Sequence, residues 1–270
     1  PERIRQHPLS ARFAGKLTDV QQWKAFFEGT GLDPIQDADR ILLAGPQFRD
    51  SSRVVAVLRY NGPQSRVRAA VDVLVKRSGS RGAWLNKRVS CARAVVDGAE
   101  RYFVMPAPNL LVIVPFDGLE QALNLPRNLK FPGARNEALV LFLKYPANAL
   151  RGLPVRLPSS IETMRFSLSL DTQGGALARI DATDKDEASA AEHAPQLTEL
   201  LNKSLVIDLV IAKRRLLDPV TFRAEGRHVR AETRVTESQL RTILSMIAAQ
   251  IDQVNGQAAA RRRPTPASSR

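Results

Sequence analysis

Basic side chains gathered around one aromatic residue are the feature of this sequence best suited to binding chemistry. Residues 40–93 hold twelve Lys and Arg but only two acidic residues, so this stretch carries +10, against +13 for the whole chain of 270 residues. A concentrated positive field attracts polyanions and acidic protein surfaces. The predicted partner-binding residues are Arg66, Lys76, Arg77, Arg81, Trp84, Lys87 and Arg88.

This set of residue types fits more than one partner. Lys and Arg can pair with the carboxylates of an acidic protein or with an anionic lipid surface. They can also pair with phosphates while Trp84 stacks on a nucleic-acid base. The chain contains no RNA-recognition signature and no zinc finger that would favour nucleic acid. A solvated helix face in an arginine-rich chain is the simplest alternative.

Motifs for catalysis are absent from the sequence. It has no Gly-x-Ser-x-Gly elbow, no Walker loop, no dinucleotide-binding glycine pattern and no His-Glu-x-x-His. The three histidines, His7, His193 and His228, do not have the spacing of metal ligands. We expect His193 and His228 to lie at solvent-exposed positions. The sequence therefore predicts no catalytic residue, no metal site and no cofactor.

Two groups of acidic residues stand next to predicted turns and helix starts. The first group lacks the alternating spacing and terminal Glu of an EF-hand loop, so turn formation and capping explain it better than calcium binding. The second group precedes a helix, where acidic side chains complement the positive end of the helix dipole. The groups are Asp33, Asp37 and Asp39, and Asp181, Asp184, Asp186 and Glu187.

The single cysteine and the hydropathy pattern restrict the class of protein further. Cys91 excludes an intramolecular disulfide, and its apolar neighbours predict a buried, inert thiol. No apolar run reaches the 18 residues or so that a transmembrane helix needs, so we expect no transmembrane segment in this chain.

Hydrophobic periodicity predicts alternating strands and helices. An amphipathic helix is expected within 1–30, a helix with its N-cap at Ser65, and a capping box formed by Thr236 and Gln239 at the start of the last helix. The segment 205–217 fits either a helix or a buried strand. The predicted strands are 40–44, 53–60, 92–96, 101–105, 110–116, 138–144, 163–170, 176–182, 220–224 and 228–235.

The order of these elements predicts an α+β fold made of two similar β-β-α-β-β-α units, with mainly antiparallel sheets covered by helices. The units are 1–126 and 127–256, and 257–270 forms a disordered basic tail. Arg40 and Arg165 open equivalent hairpins 125 residues apart. Because the second unit begins earlier, with the strand 138–144, the matching strand of the first unit is expected upstream of Pro1.

A sequence resemblance supports this arrangement. The segment GTGLDP at 29–34, leading into RILLAGP at 40–46, resembles large bacterial exported proteins of unassigned chemistry that are built from tandem α+β units. The resemblance covers both units in outline. It implies a cell-envelope setting, either the periplasm or an outer-membrane lipoprotein, and it assigns no functional residues.

These observations favour a non-enzymatic binding or scaffold module of the bacterial cell envelope that engages an acidic macromolecular partner. The first alternative is a nucleic-acid-binding protein that uses the basic stretch 66–88. The second alternative is an enzyme with an unrecognised site. That enzyme would show a deep pocket with convergent polar groups and shifted pKa values.

Overall fold

Two antiparallel sheets with helices packed on them make up this α+β protein, as the sequence predicts at this level. In the part of the chain that the structure describes, one sheet has six strands and the other has five, and a further pair of short strands stands apart from both. The computed structural model describes residues 4–5, 7, 9, 24, 26–46, 53–126, 128–133, 136–151, 156–208 and 213–261.

The first sheet has the strand order β1-β2-β6-β5-β4-β3, with every neighbouring pair antiparallel. Three of the described helices accompany it. The strands are β1 (Ala38–Ala44), β2 (Val55–Tyr60), β3 (Ala83–Leu85), β4 (Ser90–Val96), β5 (Ala99–Ala107) and β6 (Leu110–Pro115). The helices are α1 (Pro34–Asp37), α2 (Gln64–Arg77) and α3 (Leu119–Leu123).

Both faces of the first sheet are buried. Successive residues of a strand point to opposite faces, and here both sets are mainly apolar. Helix α2 packs Val71 against the face that carries Leu58 and Phe103. Helix α3 packs Ala122 against the opposite face, which carries Val112. The sheet is therefore the central layer between two apolar clusters.

The second sheet has the strand order β12-β13-β9-β8-β7 and is also fully antiparallel. Its strands are β7 (Leu139–Lys144), β8 (Ile161–Leu170), β9 (Ala176–Asp184), β12 (Arg223–Glu225) and β13 (His228–Val235). The separate pair is β10 (Val206–Asp208) and β11 (Lys213–Arg215). The helices are α4 (Pro146–Ala149), α5 (Glu187–Ser204) and α6 (Glu237–Arg261).

The two long helices that the structure describes on the second sheet, α5 and α6, pack on the same face. Helix α5 contacts Ala182 near the end of β9, and α6 contacts Ala176 at its start through Leu240. Residues 176 and 182 are an even number of positions apart, so they point to the same face. Leu9, from the start of the chain, is buried in the same cluster as Leu240.

The opposite face of the second sheet carries mainly charged and polar side chains, together with Val140, Phe142 and Leu177. Glu232 lies directly across from Arg179, and Arg230 lies directly across from Asp181. We call this the open face. Antiparallel sheets commonly have one packed face and one solvated face, which produces this alternation along each strand.

Several sequence-based boundaries need correction. Pro63, not Ser65, precedes the first turn of α2, and no side chain caps that helix. The ambiguous segment 205–217 contributes strands β10 and β11 rather than a helix. Helix α6 continues into the predicted basic tail as far as Arg261. Most of the helix expected within 1–30 lies outside the described residues.

Candidate functional site

A chain of contacts on the outer side of α2 forms the first candidate site. The Arg68 guanidinium lies 4.0 Å from the centre of the Trp84 ring, and its Nη1 donates a hydrogen bond to Ser90 Oγ. Trp84 Nε1 donates to Asp72 Oδ1 at 3.1 Å, and Lys76 Nζ lies 2.7 Å from Asp72 Oδ2. We name Arg68, Asp72, Lys76 and Trp84 the α2–β3 surface.

Helical spacing and a close backbone approach build this surface. Arg68, Asp72 and Lys76 are four residues apart and therefore lie on one side of α2. The loop after α2 passes very close to the end of that helix before β3 begins. A Cβ on Gly82 would stand only 2.0 Å from the Val75 carbonyl oxygen. Glycine at this position lets β3 present Trp84 beside the helix.

The α2–β3 surface contains a shallow depression of about 450 Å³ lined by Ser65, Arg68, Ala69, Asp72 and Trp84. Hydrogen bonds from Lys76 and Trp84 hold the pKa of the Asp72 carboxyl below its ordinary value. Asp72 therefore stays ionised and neutralises one of the neighbouring cations.

The structure places two predicted residues on the other flank of α2. Arg66 Nη1 lies 2.9 Å from Asp37 Oδ1, and its Nη2 donates to the Gly31 carbonyl at 2.8 Å. Arg77 reaches the same turn, since a Cβ on Gly29 would stand 2.8 Å from Arg77 Nη2. Gly29 also has a φ of +66°, a conformation that suits glycine. Arg66 and Arg77 therefore hold the turn before α1.

The remaining predicted cations differ in their surroundings. Arg88 donates to the Leu123 carbonyl and to Asn124 Oδ1, so it is tied to the end of α3 on the opposite side of the sheet. Arg81 and Lys87 are exposed and flank β3. Among the described residues, neither of them has a carboxylate within ion-pairing distance.

Sequence reasoning missed Arg68, although its spacing to Asp72 and Lys76 is a recognisable signal. Of the predicted set, the structure joins Lys76 and Trp84 through Asp72. Arg81 and Lys87 add exposed charge at the two ends of β3.

The second candidate site is a cleft of about 630 Å³ on the second sheet, which we name the α5 cleft. It lies between the segment 156–160 and one side of α5, where polar side chains and a few apolar ones converge. The lining residues are Arg156, Leu157, Pro158, Ser159, Ser160, Lys185, Ser189, Glu192, His193, Gln196, Leu197 and Leu200.

A histidine–aspartate pair forms one wall of the α5 cleft. His193 Nδ1 lies 2.6 Å from Asp184 Oδ2. The Asp184 side chain is completely buried and the His193 side chain is only 12% exposed. The expectation of a solvent-exposed His193 is therefore wrong, because α5 carries His193 on the side that faces Asp184 at the end of β9.

The acidic residues before α5 have different roles from one another. Asp186 is the N-cap of α5, and its Oδ1 accepts a hydrogen bond from the Ser189 amide at 2.7 Å. Asp184, which we expected to complement the helix dipole, instead belongs to the core. A buried carboxylate of this kind needs several donors in order to stay charged.

The surroundings of Asp184 supply those donors. Burial alone raises the pKa of a carboxyl, but hydrogen bonds from His193, the Ser160 hydroxyl and the Lys185 amide outweigh burial and leave the Asp184 pKa below its ordinary 3.8. Asp184 is thus ionised near neutral pH, and His193 Nδ1 must carry the proton that lies between them.

The cleft does not contain a serine–histidine–aspartate relay. Ser160 Oγ lies 3.5 Å from His193 Nδ1, which is the same ring nitrogen that contacts Asp184. In a relay the serine and the carboxylate contact opposite nitrogens of the imidazole. Ser160 therefore supports the Asp184 carboxylate rather than acting as a nucleophile.

The other candidate groups of the sequence carry no comparable site. Cys91 is fully buried, and burial raises the pKa of its thiol, as expected for an inert cysteine. Within the described ranges, no three His, Cys, Asp or Glu side chains are close enough together to hold a metal ion. None of the described helices is both long and apolar enough to cross a membrane.

Comparisons of the chain with family models, with curated proteins and with solved structures find no match.

Proposed function

We propose that this protein is a non-enzymatic binding module that engages an acidic macromolecular partner through the α2–β3 surface and the flanking Arg81 and Lys87. One observation carries the proposal. Asp72 is paired with Lys76, while Arg68, Arg81 and Lys87 have no ion-paired carboxylate among the described residues. Cations without an ion-paired carboxylate are available to pair with a partner's acidic groups.

An acidic protein fits this surface better than a nucleic acid does. Arg68 covers one face of Trp84, and the indole N–H is directed to Asp72. A base that stacked on Trp84 would have to displace Arg68 from that face. Nucleic-acid binding is therefore the second candidate, and the same experiment tests it.

We infer that the two sheets are copies of one unit. The strands β1-β2-β6-β5 of the first sheet and β8-β9-β13-β12 of the second have the same order and the same antiparallel pairing. In each case a long helix follows the second strand. The closing helices differ, since α3 and α6 pack on different faces relative to α2 and α5.

The proposed setting is the bacterial cell envelope.

A salt-dependent binding assay tests the proposed function. The probes are poly-L-glutamate and a single-stranded oligonucleotide, each titrated from about 0.05 M to about 0.5 M salt. The test variant carries Arg68→Glu, Arg81→Glu and Lys87→Glu. We expect poly-L-glutamate to bind the parent chain more tightly than the oligonucleotide does, and the variant to lose at least about tenfold in affinity.

The matched control variant carries Arg179→Glu, Arg230→Glu and Arg234→Glu on the open face, with the same change in net charge. Binding by this control should stay within about twofold of the parent. If both variants lose affinity equally, net charge rather than the α2–β3 surface drives binding, and the proposal fails. Tighter binding of the oligonucleotide would favour the second candidate.

A further inference from the structure

One cation of the α2–β3 surface is held in position by its neighbours on two sides. The Arg68 guanidinium lies 4.0 Å from the centre of the Trp84 ring, and its Nη1 donates a hydrogen bond to Ser90 Oγ. A guanidinium that already lies on an aromatic ring and makes a hydrogen bond loses less side-chain entropy when it binds a further group. Arg68 is therefore preorganised for a ligand.

The aromatic ring that supports Arg68 is itself oriented by a hydrogen bond. Trp84 Nε1 donates to Asp72 Oδ1 at 3.1 Å, and Lys76 Nζ lies 2.7 Å from Asp72 Oδ2. Asp72 is thus a positioning residue, because it fixes the indole against which the guanidinium lies. The ammonium of Lys76 is already paired in this chain of contacts, so it is less available to a partner than Arg68 is.

One edge of the Arg68 guanidinium is left without a partner. Nη1 is engaged with Ser90, whereas Nε and Nη2 form no hydrogen bond with any of the described residues. Nε and Nη2 share one edge of the guanidinium, and their parallel N–H bonds match the two oxygens of a carboxylate. Arg68 also lines the depression of about 450 Å³, where Ser65 adds a hydroxyl from one turn earlier on α2.

The two flanking cations have no such support. Arg81 and Lys87 are exposed, and their side chains make no hydrogen bond or ion pair with the described residues. Cations of this kind attract an acidic partner over a distance, but they do not fix the geometry of any one of its groups. Salt screens that attraction, and either basic residue type supplies it equally well.

We propose that Arg68 is the specificity-determining residue of the α2–β3 surface, and that its Nε and Nη2 bind the carboxylate of one Asp or Glu side chain of the partner. This inference rests on the proposed function, because it takes the partner to be an acidic protein. A lysine in place of Arg68 would keep the charge, but it would offer neither a planar pair of donors nor a flat group to lie on Trp84.

The variant Arg68→Lys tests this role without changing the net charge. Its affinity for poly-L-glutamate, measured at about 0.05 M salt, should fall by about tenfold, because one charge-assisted hydrogen bond and the support from Trp84 are lost. The matched control is Arg234→Lys, at an exposed position of the second sheet. That control should bind within about twofold of the parent.

A second variant tests whether Trp84 acts through Arg68. Trp84→Leu removes no charge, yet it should weaken the binding of poly-L-glutamate by a factor similar to that of Arg68→Lys. The double variant should bind about as weakly as either single variant, because both changes disrupt the same held guanidinium. Losses that multiply in the double variant would show that Trp84 does not act through Arg68.

The outcomes separate this inference from the proposed function. If Arg68→Lys binds poly-L-glutamate within about twofold of the parent, the role of Arg68 is overturned, while the function still stands on the loss of affinity by the triple charge-reversal variant. If the triple variant keeps its affinity, the proposed function itself fails. If Arg68→Lys weakens oligonucleotide binding more than poly-L-glutamate binding, the free edge serves a phosphate and the carboxylate assignment is overturned.

Discussion

The two sheets of this protein share a strand order but differ in what covers them. The first sheet is apolar on both faces, with α2 on one side and α3 on the other. The second sheet has both long helices on one face, while charged side chains occupy its open face. The first sheet is therefore a buried layer between helices, whereas the second keeps a solvated side.

The charges of the two sheets differ in the same way. On the second sheet Arg165 binds Glu137 at 2.7 Å, and Arg179 binds Glu232 at 2.6 Å. Arginines on a solvated sheet face can find carboxylates on the neighbouring strand. On the first sheet Arg93 and Glu100 also pair between neighbouring strands, at 4.0 Å, but the apolar clusters cover most of both faces. The exposed cations Arg68, Arg81 and Lys87 lie outside the strands.

The largest loss of stability should come from truncating a buried aromatic ring on the first sheet. Phe103 is 1% exposed and packs against Phe26, with their ring centres 6.4 Å apart. Phe103→Ala should lower the free energy of unfolding by about 3–5 kcal/mol, because it removes a fully buried ring and leaves a cavity. Urea denaturation measures this loss.

The matched control for Phe103 is Phe142→Ala on the edge strand β7, where the ring is 60% exposed. We expect a change within about 0.5 kcal/mol, since little buried contact is lost. Similar losses in the two variants would show that burial does not distinguish the sheets as described.

A smaller loss of stability should come from breaking the buried His193–Asp184 pair of the second sheet. His193→Ala leaves the Asp184 carboxylate buried with one donor fewer, so the free energy of unfolding should fall by about 2–3 kcal/mol. Calorimetry or urea denaturation at neutral pH measures this. The control His228→Ala removes a similar but exposed contact, and we expect at most about 0.5 kcal/mol.

Acid titration is a second test of how much the buried Asp184 carboxylate contributes to stability. Because the Asp184 pKa in the folded protein lies below its ordinary 3.8, the carboxylate contributes stability above about pH 4. That contribution is lost as the pH falls through the lowered pKa. The Asp184→Asn variant lacks it, so its stability should fall less than that of the parent between about pH 4 and pH 2. Parallel curves for both proteins would contradict this assignment.

The smallest loss of stability should come from breaking an ion pair on the open face. Arg179→Ala breaks the pair with Glu232, in which both side chains are about half exposed. Solvent screens such a pair, so the free energy of unfolding should change by about 0–1 kcal/mol. Glu232→Ala should give the same result in a urea titration. A loss comparable to that of His193→Ala would mean that the open face is covered in solution.

The sequence predicted the fold class because its signals are local. Alternation along residues 163–170 and 228–235 marked strands that the structure confirms within a few residues. The capping box of α6 is also confirmed, since the Thr236 amide donates to Gln239 Oε1 and the Gln239 amide donates to Thr236 Oγ1. Hydrogen bonds of this kind depend only on neighbouring residues.

The features that the sequence did not reveal depend on distant contacts. Nothing local shows that Asp184 ends in the core, or that His193 turns back to cover it. The face chosen by α6 is also invisible in its periodicity, because an apolar stripe shows that a helix packs but not against which side. Arg88 joins the end of α3 across more than thirty residues of chain.

The exposed apolar residues of strand β7 bear on how this protein behaves in concentrated solution. It is the last described strand of its sheet, and its Leu139 and Phe142 are more than half exposed. Two molecules that meet along such a margin can share backbone hydrogen bonds and apolar side chains at once. We therefore expect self-association in concentrated solutions to involve this strand, and Lys144, its one charged residue, to oppose it.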